Sequence, residues 1–355
     1  MFGVMRCRKI PSLLVFSLVL TAVVHAQQSS TGGQAGVATT MSNKPITSRS
    51  GGTATVTLSV LNEKMAPLDR QAIVKVQEEN TKTPTVQPTA ENSEASFDLG
   101  LGKYDFEVSA MGYLTGRKEV QVASILQPVP VKITLLRDPD ALDLDAGIAS
   151  VTGKANKEAK RAASDLNSGR VKEAQKHLDS AYKEAPTNAE VNFLLGFLYT
   201  QLNDLDHAQT YLSKATTLDP HNVQALALLG RLQLARHDYA GAKTTLKQAV
   251  ATDPENVPAH SFLANAYLNL RDFKNALAQA ELAVEKSKSN ASAAEIVRGE
   301  ALADMGRNDE AIQALKAYLQ AAPDTTSAPP VQQLIATIEA RGPTTSPGSA
   351  QPAKQ

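Results

Sequence analysis

Histidine and aspartate are the residue types in this chain that most directly suggest chemistry, as metal ligands or as general acids and bases. No two of the six histidines stand four residues apart, the spacing that places a metal-binding pair on one helix face. Four aspartates come close together in one acidic stretch: Asp138, Asp140, Asp143 and Asp145. Their spacing does not match a calcium loop, in which a glycine follows at the sixth position. We interpret them as part of a solvated linker that caps the next helix.

Sequence motifs for catalysis are missing from the chain. It contains no nucleophile-elbow, phosphate-loop, zinc-protease or dinucleotide-binding glycine motif. Its one cluster of glycines, at 32–36, lies in low-complexity sequence rather than between a strand and a helix. We therefore assign no catalytic, cofactor-binding or metal-binding residue and no cofactor, and we predict that the protein is not an enzyme.

Charge and the N-terminal pattern limit where the protein acts. The 36 basic residues equal the 36 acidic ones, so no basic surface argues for a nucleic-acid partner. Near the N-terminus, three basic residues precede an apolar run, 13–24, and small residues surround Ala26. This order is typical of a secretory signal peptide. We predict a signal peptide over 1–26 that is cleaved after Ala26, and an exported protein that is periplasmic or secreted. The alternative is an uncleaved segment that contacts a membrane.

The single cysteine supports the same interpretation. Cys7 lies within the predicted signal peptide, so the mature chain would hold no cysteine. Such a chain cannot form an internal disulfide, a thiolate zinc site or a cysteine nucleophile. An exported protein without disulfides suits a bacterial envelope better than a disulfide-stabilised extracellular module.

The first part of the predicted mature chain changes from low complexity to strand-like alternation. Residues 27–52 are rich in Ser, Thr, Gly and Gln, and we predict a disordered tether there. Between 53 and 137 the hydrophobic period is two; Tyr104, Phe106 and Val108, for example, alternate with polar residues. This pattern predicts six or seven short strands in a small antiparallel β-sandwich.

One strand in this region carries a family signature. The sequence Gly-Lys-Tyr-Asp-Phe-Glu-Val-Ser-Ala-Met-Gly-Tyr at 102–113 resembles the hallmark of carboxypeptidase regulatory-like domains. The resemblance covers roughly 56–136. It implies a transthyretin-like, non-catalytic sandwich of the kind appended to exported bacterial proteins.

A repeat of 34 residues governs the second half of the chain. Pro186, Pro220 and Pro254 keep this spacing, and so do Gly196 and Gly230. A fixed period of this length indicates a stack of identical helical units. The units in phase are 155–188, 189–222, 223–256, 257–291 and 292–325, with one extra residue before the last.

The repeating residues resemble the tetratricopeptide consensus. The stretch 188–199 with Ala208, Leu212, Ala215 and Pro220 carries the resemblance. It implies an all-α solenoid of about five helix pairs over 155–325. We expect an acidic connector over 138–154 before it. After it, we expect a solvating helix over 326–340 and a disordered tail over 341–355.

The same resemblance implies a groove lined by the first helix of each pair. Exposed side chains are expected at the second, fifth, ninth, twelfth and thirteenth positions of each unit. By phase, the candidate groove residues are Phe193, Phe197, Gln201, Arg231, Asn265, Asn269 and Glu300. Phe193 and Phe197 share one helix face and would anchor an apolar side chain of a peptide. The alternative, equally weighted, is that one or both pack into the core.

These features favour a non-enzymatic exported adaptor that binds a protein or peptide partner in the groove. One alternative is a carbohydrate-associated envelope module that uses the β-sandwich. The lack of tryptophan weakens it, because sugar-binding platforms favour large aromatic side chains. The other alternative is an enzyme with an unrecognised site.

Overall fold

The computed structural model describes residues 52–79, 81, 83–90, 92–144 and 151–340. The predicted signal peptide, nearly all of the predicted tether and the predicted tail lie outside the described residues. The described chain consists of a β-rich region followed by a helical array.

The β-rich region contains seven described strands in two sheets. They are β1 (Ala54–Leu61), β2 (Ala72–Glu78), β3 (Thr85–Pro88), β4 (Glu94–Leu99), β5 (Gly102–Ala110), β6 (Gly116–Val122) and β7 (Val129–Thr134). One sheet has the order β4-β1-β7 and the other β3-β2-β5-β6. Strands β1 and β7 are parallel, so the first sheet is mixed and the prediction of a purely antiparallel region is wrong there.

Both sheets contribute to one hydrophobic cluster. Strand β5 buries Tyr104, Phe106 and Val108, the alternating residues of the sequence pattern. Phe106 meets Phe97 of the other sheet edge-to-face, with ring centroids 5.6 Å apart. The period of two therefore sorts these side chains into the core, as half-buried strands require.

The described part of the array contains eleven helices. They are α1 (Gly153–Asn167), α2 (Val171–Glu184), α3 (Ala189–Gln201), α4 (Leu205–Leu218), α5 (Val223–Ala235), α6 (Tyr239–Thr252), α7 (Val257–Asn269), α8 (Phe273–Ser287), α9 (Ala293–Asp304), α10 (Asn308–Ala321) and α11 (Ala328–Glu339). The first ten form five consecutive pairs, α1/α2 to α9/α10. In each pair the odd-numbered helix is called helix A and the even-numbered one helix B.

Local signals with the period of the array fix where these helices begin. Asn188, Asn222 and Asn256 cap α3, α5 and α7, each accepting a backbone N–H three residues on. The turn between helices A and B contains one residue in the left-handed backbone conformation. In the second pair this residue is Asn203, with φ 59°. Glycine fills this position only in the outer pairs, at Gly169 and Gly306.

Close approach of helices A and B depends on a small residue. A Cβ atom added at Gly196 would lie 2.5 Å from Cγ of Leu212, inside the range that real contacts avoid. Gly230 with Leu246 and Gly299 with Leu315 repeat this arrangement. We call these contacts the seam of each pair.

The β-rich region joins the two ends of the array. The backbone N–H of Gln71 donates to Ser168 O, 3.3 Å, in the turn of the first pair. At the other end, Arg117 N–H donates to Asp324 O, 2.7 Å, and Thr326 N–H donates to Thr115 O, 3.1 Å. The β-rich region therefore spans the array from its first pair to the loop before α11.

Candidate binding site

Side chains at the five predicted groove positions of helix A form what we call the inner face. The helices that carry it are buried on nearly all sides, rather than exposed along a groove. In α7, every residue from Pro258 to Ala266 is buried, and α3 is buried from Val191 to Leu198. Helix B covers only one side of each helix A, so other parts of the chain must cover the inner face.

The seven candidate groove residues are not exposed as the sequence prediction expected. Phe193 and Phe197 are 0% and 4% exposed, and both belong to the hydrophobic cluster that joins the first pairs. The core alternative therefore describes these two side chains. Asn265 and Glu300 are also buried, while Gln201, Arg231 and Asn269 are half-buried.

Two of the polar candidates bind each other. The side-chain amide of Asn269 donates to Asn265 Oδ1, 2.7 Å, and to Asn265 O, 3.0 Å. Asn269 and Glu300 line a small cavity of about 100 Å³ that also touches α11 through Leu334. Burial, together with the nearby charge of Asp304, raises the pKa of Glu300 to about 8. Glu300 is therefore mostly protonated at neutral pH in this surrounding.

The cover of the inner face includes residues 138–144, which we call the connector segment. Burial alternates along it: Asp140 and Leu144 are buried, whereas Ala141 and Asp143 are exposed. Leu144 belongs to the same cluster as Phe193, and the half-buried Leu142 packs against that cluster and against the one around the start of α5 and α7. The segment begins with a turn, in which the Ala141 N–H donates to Asp138 O, 3.1 Å. From 141 to 144 the alternation is typical of an extended chain with one side against a surface.

Asp140 is the polar anchor of the connector segment. Its carboxylate accepts hydrogen bonds from Ser292 Oγ, 3.1 and 3.2 Å, and from the backbone N–H of Ala293, 3.0 Å. These donors stand at the first turn of α9, where helices favour anions. Burial raises the pKa of Asp140 to about 7, with a contribution from Asp138, while these hydrogen bonds act in the opposite direction.

Arg231 and Ser261 complete the polar surroundings of the segment. Burial lowers the pKa of Arg231, and the charge of Asp138 opposes this shift. Arg231 also lies over the ring of Phe262, 5.9 Å from its centroid. The Ser261 hydroxyl is fully buried and favours the charged form of Asp140.

Among the described aspartates, the solvated-linker interpretation is wrong for Asp140, whereas Asp143 is exposed. Asp140 is buried and binds the start of α9, not the start of the next helix, α1. Asp140 was predicted to lie in a linker, not at a site. No sequence pattern assigned Leu142, Ser261 or Ser292 to the site. The alternation of Leu142 and Leu144 was the one sequence signal that this segment packs against a surface. It did not indicate which helix that surface belongs to.

Outside this site, the described residues offer few groups for chemistry. They contain no cluster of three or more potential metal-binding side chains. His177 lies between two acids, with Nδ1 2.6 Å from Glu158 Oε2 and Nε2 3.7 Å from Asp165 Oδ2. Among the described residues, no helix has the length and apolar character needed to cross a bilayer.

Comparison with known proteins identifies the helical array. A tetratricopeptide repeat model matches residues 166–232, 203–250 and 233–298, and a second such model matches residues 296–325. The helices over 166–325 are therefore tetratricopeptide repeats, and the predicted all-α solenoid is confirmed. No curated protein has a sequence that matches the chain.

Several solved structures are similar to the array. TTC0263, a thermophilic TPR protein from Thermus thermophilus, is 19% identical, with 52% of this chain and 99% of that chain covered and a TM-score of 0.42. PilF from Pseudomonas aeruginosa is 16% identical, with 57% and 95% covered and a TM-score of 0.45. YrrB, described as a TPR protein with an unusual peptide-binding site, is 24% identical, with 46% and 82% covered and a TM-score of 0.40.

Proposed function

We propose that this protein is an exported, non-enzymatic adaptor that binds a protein or peptide partner on the inner face of its tetratricopeptide array. Arrays of these repeats generally act as scaffolds for protein interactions. The observation that carries the proposal is the connector segment, which lies against the inner face with alternate side chains buried. A surface that already holds an extended segment of its own chain has the shape that an extended peptide needs.

Export is proposed from the sequence. The order of basic residues, apolar run and small residues before Gln27 supports a signal peptide cleaved after Ala26. The protein would then act in the periplasm or outside the cell. Cell fractionation combined with N-terminal sequencing tests this, and a mature membrane-bound protein that retains Met1 contradicts it.

The β-rich region is proposed to be a sandwich of the carboxypeptidase regulatory-like type. Support comes from the single hydrophobic cluster shared by both sheets and from the segment 102–113, which forms β5 and the turn that follows it. In the adaptor it would act as a spacer or as a second docking surface.

Affinity capture from envelope extracts tests the adaptor function. The bait is the full mature chain, compared with a Gln201→Ala/Asn269→Ala variant, because both side chains are half-buried at the inner face. Lys247→Ala, an exposed change on helix B, is the control. We expect specific partners to be depleted several-fold with the double variant alone. Equal recovery of every partner, with unchanged circular dichroism and thermal unfolding, contradicts the proposal.

A further inference from the structure

We propose that the inner face recognises an acidic segment with alternating leucines, of the form Asp-x-Asp-x-Leu-x-Leu. Residues 138–144 are its resident occupant, and a partner with a segment of the same chemistry binds by replacing them. This inference rests on the proposed adaptor function, because it names the kind of partner that the inner face accepts.

The acidic half of the pattern follows from the donors that surround Asp140. Ser292 Oγ and the Ala293 N–H both donate to its carboxylate. The buried Ser261 hydroxyl lies beside it and also favours the charged carboxylate. Arg231 supplies the positive charge that acts on Asp138. A turn holds the two carboxylates at these groups: the Asp140 N–H donates to Asp138 Oδ1, 2.9 Å, and the Ala141 N–H donates to Asp138 O, 3.1 Å.

The apolar half follows from the next two inward positions. Leu142 packs against two hydrophobic clusters that meet along the inner face. Leu144 is 2% exposed and is part of the larger of these clusters. The outward residues, Ala141 and Asp143, are exposed. The inner face therefore contacts every second residue of the segment between 140 and 144.

The resident segment is held in a way that permits exchange. Asp140 is attached to the array through its carboxylate, and burial raises the pKa of this group and of Asp138. Keeping both carboxylates charged at neutral pH therefore costs free energy that offsets part of the contacts. What favours the resident segment is its covalent attachment on both sides, which corresponds to an effective concentration on the order of millimolar. A partner must exceed this advantage through tighter binding or local abundance.

The test uses the full mature chain and a fluorescein-labelled peptide with the sequence of residues 137–146. Binding is measured by fluorescence anisotropy to the wild type and to an Asp140→Ala/Leu142→Ala variant, whose resident segment is weakened while the inner face is intact. We expect at least about tenfold tighter binding to the variant, since its internal competitor is weaker. Asp143→Ala, the same loss of charge at an exposed position, is expected to bind like the wild type. Adding Ser292→Ala to the double variant is expected to remove the gain.

A second measurement does not depend on how well the variants fold. With ¹⁵N-labelled wild type, excess unlabelled peptide is expected to shift the amide signals of 138–144 towards free-chain positions, and a scrambled peptide is expected to leave them unchanged. No tighter binding to a folded double variant, or equal binding of the scrambled peptide, overturns the proposal. Suppose that either of these results is found, but the Gln201→Ala/Asn269→Ala variant still captures fewer partners from extracts than the wild type does. The adaptor function then stands, and only the proposed partner chemistry is wrong.

Discussion

Helix A of the inner pairs is buried on two sides, and the two sides are built differently. At the seam, a glycine meets a leucine of helix B in the same pair, as Gly196 meets Leu212. On the inner face, the cover comes from far along the chain, as when Asp140 meets Ser292 across 152 positions. The seam repeats with the period of the sequence, whereas the cover of the inner face occurs once.

A buried residue of the array is therefore covered in one of two ways. Its contacts come either from its own repeat or from the β-rich region and the connector segment. Two residues of the fourth pair, α7/α8, show that the seam has a second solution. Ala264 stands in the glycine phase, and Ala280 stands where the other pairs have the seam leucine; both are fully buried. The first pair carries Ala162 with Leu178, so alanine in this phase is not excluded. Both solutions keep the two helices in contact.

The largest expected effect comes from removing a side chain on the inner face. Phe193→Ala deletes a fully buried aromatic ring, and we expect it to lower the free energy of unfolding by about 3–5 kcal/mol. Urea unfolding monitored by circular dichroism measures it. Leu218→Ala, at an exposed leucine of helix B, is the control and should change little. A small loss for Phe193→Ala would mean that the inner face is open in solution.

A substitution at the seam is expected to have a smaller effect. Gly230→Ala forces a Cβ against Leu246 and should cost about 1–3 kcal/mol by overpacking. Adding Leu246→Ala recreates the alanine pair found in the fourth unit, so part of this loss should be recovered in a double-mutant cycle. Strictly additive losses would show that the two residues do not share one contact.

The smallest expected effect is a pH dependence confined to the inner face. Asp140 has a folded pKa raised to about 7, so its contribution to stability is full below its unfolded pKa near 3.8 and is lost as the pH rises through 7. Glu300 behaves alike, and its contribution is lost as the pH rises from its unfolded pKa near 4.5 through about 8. We expect Asp140→Asn to flatten the decline in unfolding free energy between pH 5 and 8, by on the order of 1–2 kcal/mol.

The opposite result for pH has a clear meaning. If stability rises from pH 5 to 8 and Asp140→Asn removes the rise, the hydrogen bonds from Ser292 and Ala293 outweigh the burial of the carboxylate. The connector segment would then be held more firmly at neutral pH than we propose.

Much of the fold was readable because its signals are local. The 34-residue period located the helix pairs, and the alternation in 102–110 located β5. Strand β3 carries no such signal, because Thr85–Pro88 is a short edge strand with no buried residue and therefore no apolar alternation. The parallel pairing of β1 with β7 was missed, since a strand's own pattern does not state its direction relative to a distant neighbour.

The candidate site could be predicted only in part from the sequence, because many of its contacts join residues that are far apart in the chain. The position of Arg231, Asn265 and Glu300 within the 34-residue repeat assigned them to the inner face. It did not predict which other part of the chain covers that face and buries or half-buries them. Asp140 looked like a solvated charge, because the donors to its carboxylate are far from it in sequence. These donors, Ser292 and Ala293, lie in the last helix pair.

The sequence by itself determined the units of this protein: the helix pairs, their caps and turns, and the small residues of the seam. Each of these depends on contacts within one repeat, so the period records them directly. Only the tertiary structure decided that the β-rich region and the connector segment cover the inner face, burying Phe193 and Asp140. That arrangement depends on chain closure between the first pair and the loop before α11, which no local pattern encodes.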